Sequence, residues 1–394
     1  MYSPGIDIHF FLLIPCLNEE NVIGTTVKNL LSLNMPNTTV IVINDESTDN
    51  TLEIVNKIAS SHIKVLNRVY PNAKQGKGEA LNHAYRFVRE ILGNKDIYKK
   101  TPDYSKVVIG ILDADTFIKR SLLERVAVIM NNDPNVGMIQ ARVRIGISTR
   151  NYLLPQMQDL EFFSYINQMQ NLREYMGTVA AAGNGQFNRL STMQLLGENP
   201  WSKCLLEDFD FSLRLLLKGW RTRLLQDDTV YQQGVINYKK FIKQRTRWAQ
   251  GCIQCFPYLG SIIKSNYLSL PGKVEIFYFL MLPWITLMST SAMLFSWLLI
   301  VYSYWFKSNS VSTMLVSYPT GNLLALLIII LLIIYVPGII FSVFYWQDTK
   351  ECIFRSLLAG LLVPIYNMLQ MPAVLIAVYR HVVGNKGWVK TDRF

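Results

Sequence analysis

Cysteine is scarce and unpatterned in this sequence. Five occur in 394 residues, at Cys16, Cys204, Cys252, Cys255 and Cys352. The number is odd and no framework spacing appears, which excludes a disulfide-stapled scaffold and fits a reduced, cytosolic setting. Cys252 and Cys255 form a C-x-x-C, but no second cysteine pair or histidine pair completes a zinc site, so they read as structural residues of a helix. Phosphate-binding glycine loops are missing as well. "GKGEALN" contains Gly76 and Lys77 but lacks the Ser or Thr after the lysine, and no G-x-G-x-x-G follows the first strand-like run. A P-loop nucleotide hydrolase and a dinucleotide enzyme are thereby set aside. The opening stretch, "MYSPGIDIHFFLLIPCLNEE", has one short apolar run and no basic segment before it. It reads as a first buried strand, not as a signal peptide or membrane helix. Acidic residues are outnumbered: 28 Asp and Glu against 39 Lys and Arg leave a net charge of +11. Such a charge suits nucleic acid or an anionic membrane surface. The apolar last third of the chain decides for the membrane and against nucleic acid.

Half of the residues are hydrophobic and the mean hydropathy is +0.19. The excess lies beyond about residue 270. Before it, strand-like and helix-like runs alternate: "IHFFLLIP", "TTVIVIND", "IKVLNRV" and "KVVIGILDAD" are each followed by an amphipathic stretch. Near-continuous, β-branched strands between helices predict a parallel sheet covered on both faces. Such sheets place ligands at the carboxyl ends of their strands. Three of these strands end in polar clusters, "PCLNEE", "NDESTDNT" and "DADT". Asp113 and Asp115 flank one small residue, a spacing that suits a hard divalent cation binding phosphate oxygens, or equally a turn before the next helix. Farther on, "LLEDFDFSLRLLLKGW" reads as a helix with Glu207, Asp208 and Asp210 in its first turn. These carboxylates either complement the helix dipole or include a general base.

The order of these motifs settles the alternatives by resemblance. "PCLNEE", "VINDESTDNT", "GKGEALN", "DADT", "AAGNGQFNR", "LLEDFDFSLRLLLKGW" and "QRTRWAQG", spread over residues 10–251, resemble the family 2 glycosyltransferases, in particular the membrane-bound branch with a Q-x-x-R-W signature. That branch includes cellulose, chitin, hyaluronan and poly-N-acetylglucosamine synthases and glucosyl-lipid synthases. The resemblance implies an α/β fold of the GT-A type, a Rossmann-like domain followed by transmembrane and interfacial helices. It also implies an inverting transfer from a UDP-sugar with Mg2+ or Mn2+. By family pattern, Pro15, Glu19, Asp45, Lys77 and Asp113 would line the nucleotide-sugar site, and Asp115 with Asp113 would hold the metal. Asp208 would be the base. Gly183, Asn184, Glu207, Gln244, Arg247 and Trp248 would meet the acceptor and the diphosphate. Leu206 stands where many members have Thr, which removes a hydroxyl near the base but not the carboxylate.

The expected organisation is a cytosolic catalytic domain over 1–235, interfacial helices carrying Q-x-x-R-W over 236–273, and a membrane region over 274–394. Runs at 276–304 and 323–346 are long enough to span a bilayer. Basic residues at Lys264, Lys273, Lys350 and Arg355 place the catalytic domain in the cytosol, at the plasma membrane. The run at 354–379 contains Pro364 and Pro372 and is expected as a broken or re-entrant helix before the basic "WVKTDR" tail. Two products fit: a growing β-linked polysaccharide, the leading expectation, or a glycolipid made on an acceptor such as diacylglycerol. Few spans argue against a self-contained secretion channel, which a second copy or an accessory secretion protein would have to complete.

Overall fold

The structure, a computed structural model, describes residues 7–58, 60–94, 102–146, 151–305 and 320–385. A seven-stranded sheet has the order β3-β2-β1-β4-β6-β5-β7. The strands are β1 (His9–Cys16), β2 (Thr38–Asp45), β3 (Ile63–Arg68), β4 (Val107–Ile111), β5 (Val136–Ile145), β6 (Gln186–Arg189) and β7 (Arg221–Gln232). Helices α1 (Ile23–Ser32), α2 (Thr51–Lys57), α3 (Lys77–Gly93) and α4 (Arg120–Asn132) connect the first strands. The unbroken apolar run of β1 has a simple cause. Phe10, Leu12 and Ile14 enter the core beneath α1 and α4, while Phe11 and Leu13 enter the core beneath α3. A strand covered on both faces cannot alternate polar with apolar residues.

The sheet is not purely parallel, as the strand pattern had predicted. β6 runs antiparallel to both neighbours, β4 and β5. Its four residues, QFNR, are mostly polar yet all buried, so no hydrophobic run announces it. It follows directly from the "AAGNG" segment, which therefore leads into the sheet.

Beyond the sheet come α5 (Leu153–Glu161), α6 (Asn167–Met176), α7 (Glu207–Leu217) and α8 (Tyr238–Gln254), then α9 (Leu270–Trp305), α10 (Thr320–Thr349) and α11 (Ile353–Val382). Segments of α9, α10 and α11 are each long and apolar enough to cross a membrane. The third run is not broken: α11 is one helix through Pro364 and Pro372. A proline removes one backbone donor and need not end a helix whose surroundings compensate. The carbonyl of Gly360, four residues before Pro364, lies against Gly338 of α10. In α9, Pro283 likewise cannot donate to the carbonyl of Phe279. The Cys252 thiol does so from α8, with Sγ 3.4 Å from that oxygen.

Each membrane-type helix is tied to the sheet-bearing half by a buried arginine. Arg173 of α6 donates to Glu275 of α9 at 2.8 Å. Arg144 of β5 makes two 2.8 Å bonds to Asp159 and one of 2.5 Å to Asp348 of α10, and Tyr345 of α10 also donates to Asp159. Arg245 of α8 grips Glu161 of α5, which accepts from Tyr366 of α11 at 2.7 Å. Ions this deeply buried persist only when paired.

Candidate active site

α7 begins at Glu207 with Leu206 as its N-cap. Its three first-turn carboxylates separate by role. Asp210 is buried and paired with Arg214 at 2.8 Å, one turn along the same helix. Asp208 instead faces a cavity of about 350 Å³. One of its oxygens accepts the Phe209 N–H at 2.7 Å. Burial, then the neighbouring Glu207 carboxylate, push the Asp208 carboxyl up to about 7. The Phe209 N–H, Lys77 and Arg247 pull in the opposite direction.

Lys77 stands at the first position of α3, after Gly76. Its ammonium donates to Asp113 at 2.6 Å and to the Gly183 carbonyl at 3.0 Å. Burial alone would lower the Lys77 pKa, but Asp113 and then Glu207 outweigh it and hold it above its ordinary value. Gly183 has φ of +74°, and a Cβ there would lie 2.8 Å from Asp208 Oδ2. Only glycine combines that backbone conformation with so close a carboxylate. The "AAGNG" segment thus lies between the acid of α7 and the lysine of α3.

The D-A-D segment lies just past the end of β4, in the turn before α4. The two aspartates are held from different sides, not by strand alternation. Asp113 meets Lys77, while Asp115 accepts the Gln233 N–H at 2.8 Å. Asn184 is buried and ties this turn together. Its oxygen accepts from the Asp113 N–H and the Thr116 hydroxyl, and its amide donates to Gln232. It therefore positions the aspartates and does not line the cavity.

Asp113 and Asp115 offer hard carboxylate oxygens of the kind that hold Mg2+ or Mn2+. Among the described residues, no cluster of three or more His, Cys, Asp or Glu could hold a metal alone. Asp113, beside Lys77, and Asp115, two residues on in the same turn, suit a cation completed by phosphate oxygens from a ligand. The donor set suits that use and does not suit a closed structural site.

The cavity gathers Lys77, Asp113, Gly183, Glu207, Asp208, Gln244, Arg247 and Trp248. Pro15, Glu19, Asp45, Asp115 and Asn184 are not among its lining residues. Pro15 and Asp45 belong to the carboxyl-terminal ends of β1 and β2, with Glu19 in the loop after β1. Asp45 is buried against Arg68 at 2.6 Å, and burial raises its pKa despite that partner. Gln244, Arg247 and Trp248 come from α8, whose buried face packs on α11 and on the loop before α7. Gly251 of the same helix makes that approach: a Cβ would meet Leu206 at 2.5 Å. α8 is thus enclosed along one side by the rest of the chain.

Sequence reasoning missed several neighbours. Gln140, Gln232 and Gln233 hold the "AAGNG" and D-A-D segments. The polar "YQQG" at the end of β7 was the available signal. It was also missed that Leu282, Pro283 and Thr286 of α9 and Val374 of α11 line the same cavity.

Comparison with known proteins agrees with this geometry. The sequence model described as "Glycosyltransferase like family 2" matches residues 7–251. A beta-monoglucosyldiacylglycerol synthase from Synechocystis is 27% identical over 280 residues, 70% of this chain and 54% of that protein. A poly-beta-1,6-N-acetyl-D-glucosamine synthase from Staphylococcus aureus is 27% identical over 240 residues, 61% of this chain and 53% of that protein. The chain spans about half the length of these curated relatives. A mannosyltransferase from Pyrobaculum calidifontis, solved with GDP-Man and Mn2+, superposes with a TM-score of 0.60 at 18% identity, covering 97% of this chain and 90% of that one. At that identity the likeness concerns the fold, a mixed α/β sheet of the GT-A type with apolar C-terminal helices.

Proposed function

The chain belongs to glycosyltransferase family 2, and on that premise we propose that it moves a hexose or N-acetylhexosamine from a UDP-sugar, with inversion, onto a hydroxyl presented at a membrane. Asp208 is the general base. The acceptor oxygen bonds to the anomeric carbon, the bond from that carbon to the diphosphate oxygen breaks, and the hydroxyl proton passes to the Asp208 carboxylate. A carboxyl poised near 7 is half ionised at neutral pH, so it can take that proton. Lys77 and Arg247 offset the charge that grows on the leaving diphosphate. Asp113 and Asp115 would hold a Mg2+ or Mn2+ ion, whose contribution is charge neutralisation on the phosphate oxygens. Pro15, Glu19 and Asp45 serve the nucleotide end. Gln244 and Trp248 serve the acceptor, with Gly183 keeping the approach to the base open and Glu207 tuning its acidity.

The observation that carries the choice of acceptor is that residues of the apolar helices line the cavity. Asp208 shares it with Leu282, Pro283 and Val374, on helices apolar enough to enter a bilayer. An apolar wall beside a carboxylate base suits a lipid carrying a hydroxyl head, so we favour glycolipid synthesis. A polysaccharide product is the second reading, supported by the 27% identity to a poly-beta-1,6-N-acetyl-D-glucosamine synthase. In either case we read 1–235 as cytosolic, 236–273 as the connecting helices, 274–394 as the membrane part, and the plasma membrane as the site. The "WVKTDR" tail lies outside the described residues.

The test is turnover in nanodiscs with Mg2+ or Mn2+, labelled UDP-glucose or UDP-N-acetylglucosamine, and a lipid extract, with Asp208→Asn as control. Chloroform-soluble label that depends on added lipid supports the glycolipid reading. Aqueous, high-mass label supports the polymer. Equal absence of turnover in wild type and variant sinks the catalytic assignment.

A further inference from the structure

Arg245 occupies the second position of Q-x-x-R-W, where the signature leaves the residue open. It is buried, yet it touches more of the site than its position suggests. Its guanidinium forms a two-pronged contact with Glu161, at 3.0 and 2.5 Å. A third bond, 3.2 Å, goes to the Tyr366 hydroxyl of α11. The same planar group lies over the Trp248 ring, 4.4 Å from its centroid. Phe162 meets that indole in a T-shaped arrangement, with ring centroids 6.5 Å apart. Trp248 therefore has one face held by a cation and its position referred, through Tyr366, to a membrane-type helix.

We propose that Arg245 is a positioning residue for acceptor binding: clamped by Glu161 and the Tyr366 hydroxyl, it fixes the Trp248 ring on which the acceptor rests. The acceptor part of this proposal rests on the reading of Trp248 given above; the clamp itself does not. A planar guanidinium can hold a carboxylate with its edge while its face covers an aromatic ring. Lysine can do one or the other, so Arg245→Lys is not a neutral exchange here. Tyr366→Phe keeps the ring packed against Phe241, whose centroid is 5.6 Å away, and removes only the hydroxyl.

Two measurements on the full chain in nanodiscs test it. The first is hydroxyl-radical footprinting read by mass spectrometry, which needs no turnover. Tyr366→Phe and Arg245→Lys should raise oxidation of Trp248 while leaving Trp201, buried and stacked on Phe211, unchanged as an internal standard. The second is kinetics. The acceptor KM should rise about five- to tenfold, the scale of a lost cation–π contact, with the donor KM unmoved. Unchanged Trp248 oxidation in both variants overturns the proposal. Donor and acceptor KM rising together would mark Arg245 as a general structural residue and overturn it too. Increased oxidation with an unmoved acceptor KM would leave the clamp standing and remove Trp248 from acceptor binding.

Discussion

Replacing Asp208 by Asn should abolish transfer and, above neutral pH, stabilise the protein. The Asp208 carboxyl is pushed from 3.8 to about 7, first by burial and then by Glu207. Its folded-state pKa is therefore raised, and folding favours the protonated form. Below about pH 4 the carboxyl is protonated in both the folded and the unfolded chain and makes no difference. Between about 4 and 7 the unfolded chain ionises first, so stability falls by up to about 1.4 kcal/mol per pH unit. Above the folded value the loss is complete, about 4 kcal/mol in the unscreened limit and about 2 kcal/mol after solvent at the cavity reduces it. Asparagine cannot ionise and retains an oxygen for the Phe209 N–H. Thermal unfolding of both proteins in nanodiscs, from about pH 5 to about pH 8.5, should therefore show curves that diverge as pH rises, with the Asp208→Asn variant the more stable. A variant less stable than wild type at the alkaline end, or a gap independent of pH, would refute the burial argument. The activity profile should show the same ionisation, with kcat/KM of the wild type rising through about pH 7.

Gly183→Ala places a Cβ 2.8 Å from Asp208 Oδ2 at a positive φ. It should cost about 1–3 kcal/mol of stability and lower kcat in the nanodisc assay even where the protein is folded. Lys77→Met leaves Asp113 without its 2.6 Å ammonium partner. It should raise the donor KM by roughly ten- to a hundredfold, the scale of a charged hydrogen bond, as read by a titration of UDP-sugar. Chelation with EDTA should stop transfer, and added Mn2+ or Mg2+ should restore it, measured as product counts. Arg144→Met takes the guanidinium from Asp159, which is fully buried and keeps neutral donors such as the Tyr345 hydroxyl and the Ile145 N–H. It should cost about 3–5 kcal/mol, seen as lost yield or lowered Tm, and the further change Asp159→Asn should recover part of it.

Much of this was legible because the relevant signals are local. "TTVIVIND" marked β2 from Thr38 to Asp45 residue for residue, and the apolar runs located the ends of α9 and α10 to within six residues. The motif order located the acid of α7, Lys77 and the α8 signature, and the structure brings them around one cavity. What could not be read depends on distant partners. β6 is four residues of mainly polar sequence whose burial comes from the strands beside it. Family pattern put Asn184 among the residues that meet the acceptor and the diphosphate, but its oxygen binds the turn after β4. The prolines of α11 looked like breaks because a sequence does not display the neighbouring helix that accommodates them.

The three buried arginines have a consequence for which acceptors can react. Arg173, Arg144 and Arg245 bind separate membrane-type helices to one catalytic body. Three such attachments, each to a different helix, restrict how far that body can shift relative to those helices. With the proposed orientation, the base therefore sits at one altitude above the hydrocarbon. For the proposed lipid acceptor, which floats at a depth set by its own tails, the hydroxyl would reach the proposed base only if the headgroup is the right height. Selection among acceptors then becomes partly a measurement of length, made by the scaffold before any headgroup is recognised.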